Sequence, residues 1–281
     1  MNLLKFLLLN YLKFGNGFAT LHSSKKKSPL IREAVLVLGG AGKTGSEVVY
    51  QALKSGQDVV TLVRKSNSDV KVPSGSGKVD NIFDEYKKND VSLSEYSKNK
   101  EGFGKLLVFD GSVTNGDDIS KCFENNNIDS VVVALGGSTR DVGNNMLECG
   151  TRNVVNEMNN RLCKRIAVVT SVGTGDSYDQ APLFFKGLMA TLYRDMFVDK
   201  NNQEKVFNVG EIGNELEWCI VRPGGLTLGE PTGEIHPTKE IIGSISRADV
   251  ASFCLGILKD DFEYINEKVS ISNLDAVRDH N

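Results

Sequence analysis

A doubly wound α/β domain, a parallel sheet with helices on both faces, is the fold class this sequence predicts, and three observations predict it. From Ala34 onward, short apolar runs alternate with longer stretches of helical pattern. The runs are continuous in Val, Leu and Ile, as strands covered on both faces must be. The first run leads directly into a glycine-rich turn and then into a helical pattern.

Taken in order, Ala34–Leu38 reads as the first buried strand, and residues 46–55 as a helix with Val48, Val49, Ala52 and Leu53 on one face and Gly56 as its stop. Strands follow at Asp58–Val63, 105–109, 129–135, 165–170 and 217–222, with a helix at 144–159. Residues 33–281 form one domain, in which the C-terminal third supplies a small substrate-binding part. Between the second and third strands, residues 66–104 are rich in Ser, Gly, Lys and Asn, where a handful of residues would suffice. This reads as a surface excursion or mobile insertion.

Gly39, Gly42 and Gly45 stand at G-x-x-G-x-x-G spacing between the first strand and its helix, with Lys43 and Thr44 inside the loop. Glycine is needed there for a tight turn, for close approach of a pyrophosphate to the backbone, and for packing of helix on strand. The helix start then offers N–H groups and a positive dipole end to the phosphates. The expected fold is therefore Rossmann-type, with a dinucleotide in the loop. A nucleotide triphosphate loop is excluded, because the glycine it requires five residues before Gly42 is Val37.

The end of the second strand bears on the choice of dinucleotide. An NAD site usually places Asp or Glu there for the ribose 2′-hydroxyl. This strand ends Val63-Arg64-Lys65-Ser66 without an acid, so Arg64 and Lys65 favour the 2′-phosphate of NADP.

Composition narrows the partners. A net charge of −3 with dispersed Lys and Arg disfavours nucleic acid. The five cysteines contain no C-x-x-C pair and read as free thiols; the three histidines are scattered, so no metal site is expected. Residues 1–32 lack Asp and Glu and carry Lys5, Lys13, Lys25, Lys26, Lys27 and Arg32. Their apolar stretch is too short for a transmembrane span of about 20 residues. An apolar segment, then Phe18, then a Ser- and Lys-rich stretch resembles the bipartite plastid leaders of algae with complex plastids. A mitochondrial presequence or the tail of a cytosolic protein are the alternatives.

These residues resemble the atypical short-chain dehydrogenase/reductase family, in its NmrA-like, flavin/biliverdin-reductase-like branch. The strand with Gly39-Gly40-Ala41-Gly42-Lys43-Thr44-Gly45 is similar to the family's G-A-T-G-x-x-G loop. Val131-Val132-Val133-Ala134-Leu135-Gly136-Gly137 resembles the strand that passes over the cofactor riboses. Gly150 and Asn153 resemble a G-x-x-N helix, Val169-Thr170-Ser171-Val172-Gly173 the end of the fifth strand, and Asp199-Lys200-Asn201-Asn202-Gln203-Glu204 a D-K-x-x-x-E helix. Val221-Arg222-Pro223-Gly224-Gly225-Leu226 and Ser246-Arg247-Ala248-Asp249-Val250-Ala251 resemble the late V-R-P-G-x-L and S-R-x-D-V-A motifs.

The resemblance implies that Leu135, Gly136, Pro223 and Gly224 touch the cofactor, and that Lys200 holds the nicotinamide ribose. Ser112 and Val113 stand where the family often has the Asp and Val of G-D-V, beside adenine. Ser171, at the end of the fifth strand, would hydrogen-bond substrate or nicotinamide, or be a satisfied strand-end hydroxyl. The larger family's Y-x-x-x-K pair is incomplete: four residues before Lys200 stands Met196, and Tyr193 and Tyr178 lie off that spacing.

Two function classes follow. One is an NADPH-dependent reductase passing hydride to a conjugated or redox-active acceptor such as a flavin, quinone or tetrapyrrole, with Lys200 and Ser171 as catalytic residues. The other is a non-catalytic NADP(H) sensor or scaffold that docks on a protein partner.

Overall fold

The structure, a computed structural model, describes residues 33–64, 69–79, 91–136 and 145–273. Its strands are β1 (Ala34–Leu38), β2 (Asp58–Val63), β3 (Leu106–Asp110), β4 (Ile128–Val133), β5 (Arg165–Val169), β6 (Glu217–Pro223), β7 (Gly225–Thr227), β8 (His236–Pro237), β9 (Ser244–Ser246) and β10 (Glu267–Ser272). The described helices are α1 (Lys43–Lys54), α2 (Ser74–Val79), α3 (Leu93–Lys98), α4 (Gly116–Phe123), α5 (Met146–Arg161), α6 (Leu183–Ala190), α7 (Arg194–Lys205) and α8 (Arg247–Ile257).

All five residues of β1 are buried, because β1 lies inside an eight-stranded sheet of order β3-β2-β1-β4-β5-β6-β10-β8. Every pairing is parallel except the short β8 against β10. The two-residue side-chain period sorts β1 between two core layers. Val35 and Val37 pack with Val48, Val49 and Leu53 of α1 and Val250, Ala251 and Ile257 of α8. Leu36 and Leu38 pack with Ile119 and Phe123 of α4 and Val154, Val155 and Met158 of α5. This is the predicted doubly wound, Rossmann-type sheet. No helix among the described residues is long and apolar enough to cross a membrane.

The boundaries differ where the chain serves the site. Helix α1 starts at Lys43 rather than Ser46, so the loop runs straight into it. Strand β4 ends at Val133 because the next residues leave the ladder for the cleft described below; Ala134 still donates its N–H to the Leu38 carbonyl at 2.8 Å. Strand β10 was not anticipated. Its sequence alternates polar and apolar residues, and it extends the sheet by pairing Val269 with Val221.

The segment between β2 and β3 is described in part, at residues 69–79 and 91–105. Its described apolar residues Val70, Val72, Leu93 and Tyr96 are buried, so these parts pack on the core. Val70, Val72, Leu93 and Tyr96 join the core layer of α1. Tyr96 meets Tyr50 and Phe103 at ring-centroid distances of 6.4 and 5.8 Å. All five cysteines are free, and burial pushes the Cys122, Cys163 and Cys254 thiols up to about 12.

Candidate functional site

Strand order reverses between β1 and β4, and such a switch opens a crevice beyond the C-terminal strand ends. A cleft of about 1010 Å³ lies there, reaching from the end of β2 to α7. Gly39 has φ +88°, and a Cβ on it would come within 2.5 Å of the Ala134 carbonyl. A Cβ on Gly45 would collide with the Gly39 carbonyl, so α1 lies directly on the loop. Gly42 caps α1, whose first turn holds no acidic residue. Gly39, Gly42, Lys43 and Thr44 line the cleft, and the helix dipole favours an anion at this point.

The adjoining wall explains the G-x-x-N pattern. Asn153 Nδ2 donates to the Val113 carbonyl at 2.9 Å, and a Cβ on Gly150 would press on Val113 at 3.0 Å and Leu135 at 3.1 Å. Val113, Leu135 and Gly136 line the cleft.

The opposite end is built by α7. Lys200 is buried, lines the cleft, and donates to the Thr170 carbonyl at 3.2 Å. Burial pushes its ammonium down to about 8, against the pull of Glu204 and Asp199. One turn on, the buried Glu204 accepts from Thr170 Oγ1 at 2.8 Å and Thr174 Oγ1 at 2.5 Å. Arg222 donates to both Glu204 oxygens, at 3.0 and 2.6 Å, and also pairs with Asp176 at 2.7 Å. Asp199 accepts from the Leu147 and Glu148 N–H groups at 2.9 and 3.0 Å, and so caps α5. Ser171 lines the cleft beside Thr170, with its hydroxyl donating to the Val172 carbonyl at 3.0 Å.

The late motif is architectural as well. Asp249 accepts from Thr232 N, Gly233 N and Ser246 Oγ at 2.9, 3.0 and 2.8 Å, which ties the C-terminal loops to α8. Its neighbour Arg247 lines the cleft and donates to the Leu226 and Thr227 carbonyls at 3.2 and 3.0 Å.

The cleft thus gathers Gly39, Gly42, Lys43, Thr44, Arg64, Val113, Leu135, Gly136, Ser171 and Lys200 of the expected set. Gly45 supports the loop from behind. Three other residues of that set are not among those lining the cleft. Ser112 stays out of the wall: its N–H donates to Asp118 at 3.0 Å, and its hydroxyl pairs with Thr114 at 2.8 Å. Pro223 is buried at the end of β6, where its carbonyl accepts from Val172 N at 3.0 Å. Gly224 donates to the Ile271 carbonyl at 3.2 Å, and a Cβ on it would collide with the Gly243 carbonyl. Pro223 and Gly224 therefore join the C-terminal strands. Lys65 lies outside the described residues.

Sequence reading missed Asp69, Lys71, Pro73, Ser74 and Arg247, all of which line the cleft. Asp69 lies beyond the end of β2, and its carboxylate accepts from Ser92 Oγ at 3.1 Å. Among the described residues the wall carries five cationic side chains, Lys43, Arg64, Lys71, Lys200 and Arg247, and one carboxylate, that of Asp69. Met196 lines the cleft, whereas Tyr178 and Tyr193 do not and are 49% and 41% exposed.

A glycine loop, a helix start and a cationic cleft at a switch point define a dinucleotide-binding α/β protein. The chain belongs to the NAD(P)H-binding family, whose model matches residues 39–261. Among solved structures it is similar to ChuY, an anaerobillin reductase from Escherichia coli O157:H7, at 21% identity and a TM-score of 0.62, over 86% of this chain and 98% of that one. It is also similar to a putative NAD-dependent epimerase/dehydratase from Bacillus halodurans (24% identity, TM-score 0.60, 86% and 94% covered). A putative NADH-flavin reductase from Streptococcus pneumoniae shares 18% identity at a TM-score of 0.55, with 86% and 99% covered. At these identities the likeness shows the shared fold. The family assignment agrees with the resemblance to atypical short-chain dehydrogenases/reductases. No curated protein matches the sequence.

Proposed function

We propose that the protein is an NADPH-dependent oxidoreductase reducing a conjugated or redox-active small acceptor, of flavin, quinone or tetrapyrrole type. The observation that carries this reading is the pairing of a buried Lys200 with Met196 in the cleft, where a carbonyl reductase of the larger family keeps a tyrosine acid. The cofactor supplies the hydride. The chain's residues hold and orient it: the loop at Gly39–Gly42 and the start of α1 for the diphosphate, Arg64 for the ribose phosphate, Lys200 for the nicotinamide ribose. Lys200 and Ser171 are the catalytic residues of this reading, placing charge and a hydroxyl at the reacting end. A conjugated acceptor accommodates weak acid catalysis, since water can protonate it after hydride arrives. The anaerobillin reductase and the NADH-flavin reductase among the similar structures support an acceptor of this kind. Residues 1–32 serve as a plastid-targeting leader in this reading.

NADPH oxidation with flavin, quinone and linear tetrapyrrole acceptors, beside simple aldehydes, tests it. Turnover with the first group and little with aldehydes is expected. Tight NADPH binding without turnover on any acceptor would favour the second reading, a redox sensor docking on a partner. The exposed apolar side chains Leu183, Phe184, Leu192 and Val198, on and around α6 and α7, favour that alternative.

A further inference from the structure

The C-terminal part supplies a wall of the cleft with chemistry of its own. Strand β6 runs beside β5 as far as Pro223, whose carbonyl accepts from Val172 N, next to Ser171. The chain then forms β7, and Leu226, Leu228 and Arg247 line the cleft. Both leucines are exposed. This wall carries on from the strand ends that bear Ser171, and it joins two apolar side chains to one guanidinium.

Arg247 is held in place but not neutralised. It opens α8 directly after β9, whose buried Ile245 is paired with Leu226 in the parallel ladder. Its Nη1 donates to the Leu226 and Thr227 carbonyls at 3.2 and 3.0 Å, while Nε and Nη2 form no hydrogen bond among the described residues. The other arginines withdrawn from solvent each hold a carboxylate: Arg152 pairs with Glu148, Arg165 with Glu217 and Arg222 with Glu204. Arg247 has no ion pair among the described residues. Glu47 attracts it electrostatically, but the oxygens of that carboxylate accept from Gly75 N at 2.9 Å and Ser76 N at 3.2 Å. Burial outweighs that attraction and holds the guanidinium below the usual arginine range, though it stays charged at neutral pH.

A charge withdrawn from water without a counter-charge is costly, so a ligand that brings the counter-charge is favoured. The diphosphate of a dinucleotide is matched by the start of α1 and Lys43. The anion that Arg247 lacks therefore belongs to the second molecule in the cleft. A guanidinium takes a carboxylate or phosphate through two parallel N–H groups, and exposed leucines suit a flat apolar ring system. We infer that Arg247 is a specificity-determining residue for the acceptor, binding a carboxylate or phosphate on a ring system that lies against Leu226 and Leu228. This narrows the acceptor to an acidic one within the reductase reading above, on which it rests.

The test is NADPH oxidation by the full chain with paired acceptors that differ in the acid alone. Flavin mononucleotide stands beside riboflavin, and a linear tetrapyrrole diacid beside its dimethyl ester. The wild type should show a KM at least about fivefold lower for the acidic member of one pair, within the range for one charge-assisted hydrogen bond. The pair that shows it distinguishes phosphate from carboxylate. Arg247→Met should lose that preference through KM rather than kcat. Arg247→Lys, which keeps the charge but not the paired N–H groups, should retain part of it. NADPH affinity, titrated without acceptor, should change less than about twofold in both variants, and thermal melting checks that they fold. A wild type that treats acidic and neutral members alike overturns the inference alone, with no variant needed. A preference that survives Arg247→Met also overturns it. A loss of NADPH affinity as large as the loss of preference places the guanidinium on the diphosphate and overturns it too. No turnover with any acceptor, beside tight NADPH binding, overturns the reductase reading and this inference together.

Discussion

Arg222 holds both carboxylate oxygens of Glu204, its Nε donating to Oε1 at 3.0 Å and its Nη2 to Oε2 at 2.6 Å. Two motifs distant in sequence, V-R-P-G and D-K-x-x-x-E, therefore meet in one buried pair beneath Lys200. The pair fixes Thr170, whose carbonyl receives Lys200, and so sets the floor of the cleft.

Removing one partner of such a pair strands a buried charge. Arg222→Met is expected to destabilise the fold by about 3–5 kcal/mol, as is usual for a broken buried ion pair. Lys268, 3.9 Å from Glu204, compensates only in part. The double variant Arg222→Met/Glu204→Met leaves no unpaired buried charge, since Asp176 is exposed, and should recover at least half of that loss. Urea unfolding of the three proteins checks this; a double variant as unstable as Arg222→Met would show that packing, rather than charge, holds the pair in place.

Lys200 gives a pH dependence with a definite sign. Its ammonium loses its proton near 8 in the folded protein, against 10.5 ordinarily, because burial disfavours the charge. Between those values the unfolded chain holds a proton that the folded one has released, so stability contributed by this group rises with pH. The difference in unfolding midpoint between the wild type and Lys200→Met should therefore shift in the wild type's favour from pH 7.5 to pH 10. A difference in midpoint that stays flat across this range would place the Lys200 titration elsewhere.

The legible parts of the molecule were those encoded locally. The unbroken apolar run of β1, the glycines after it and the start of α1 are contiguous, so pattern alone located the loop. Arg64 was legible because the end of the second strand has a fixed place in such sheets. Lys71 and Arg247 were not, since each reaches the cleft from a segment whose path depends on distant partners: Glu47 and Gln51 for the first, and the Leu226 and Thr227 carbonyls for the second. The resemblance assigned Pro223 and Gly224 to the cofactor from their place in a motif. In the fold that motif's buried arginine stabilises α7 against β5 and β6, and its Pro-Gly pair turns the chain toward β10.

The leader has a direct test. Mass spectrometry of the native protein should find the mature chain beginning downstream of Phe18. A folded pool that retains Met1 would contradict plastid import with cleavage and return the extension to a cytosolic tail.

The last prediction concerns the absent proton donor. Tyr193 caps α7 and is 41% exposed, and Tyr178 lies in the short helical turn Gly175–Gln180 with Lys186 4.8 Å over its ring. Neither lines the cleft, while Met196, one turn before Lys200, does. Tyr193→Phe and Tyr178→Phe should each keep turnover within a few fold, whereas loss of a true general acid costs about 10²–10⁴-fold. Lys200→Ala should instead lower kcat strongly, since a small misplacement at the reacting end can cost about a hundredfold. Aldehydes and ketones need an alkoxide protonated as hydride arrives, and should be poor substrates beside flavins or quinones. Steady-state kinetics of the three variants on both substrate classes decides the matter. A collapse of turnover in Tyr193→Phe with NADPH affinity unchanged would mean that α7 moves to bring its capping residue into the cleft. Ordinary carbonyl reduction would then replace acceptor reduction as the chemistry of the site.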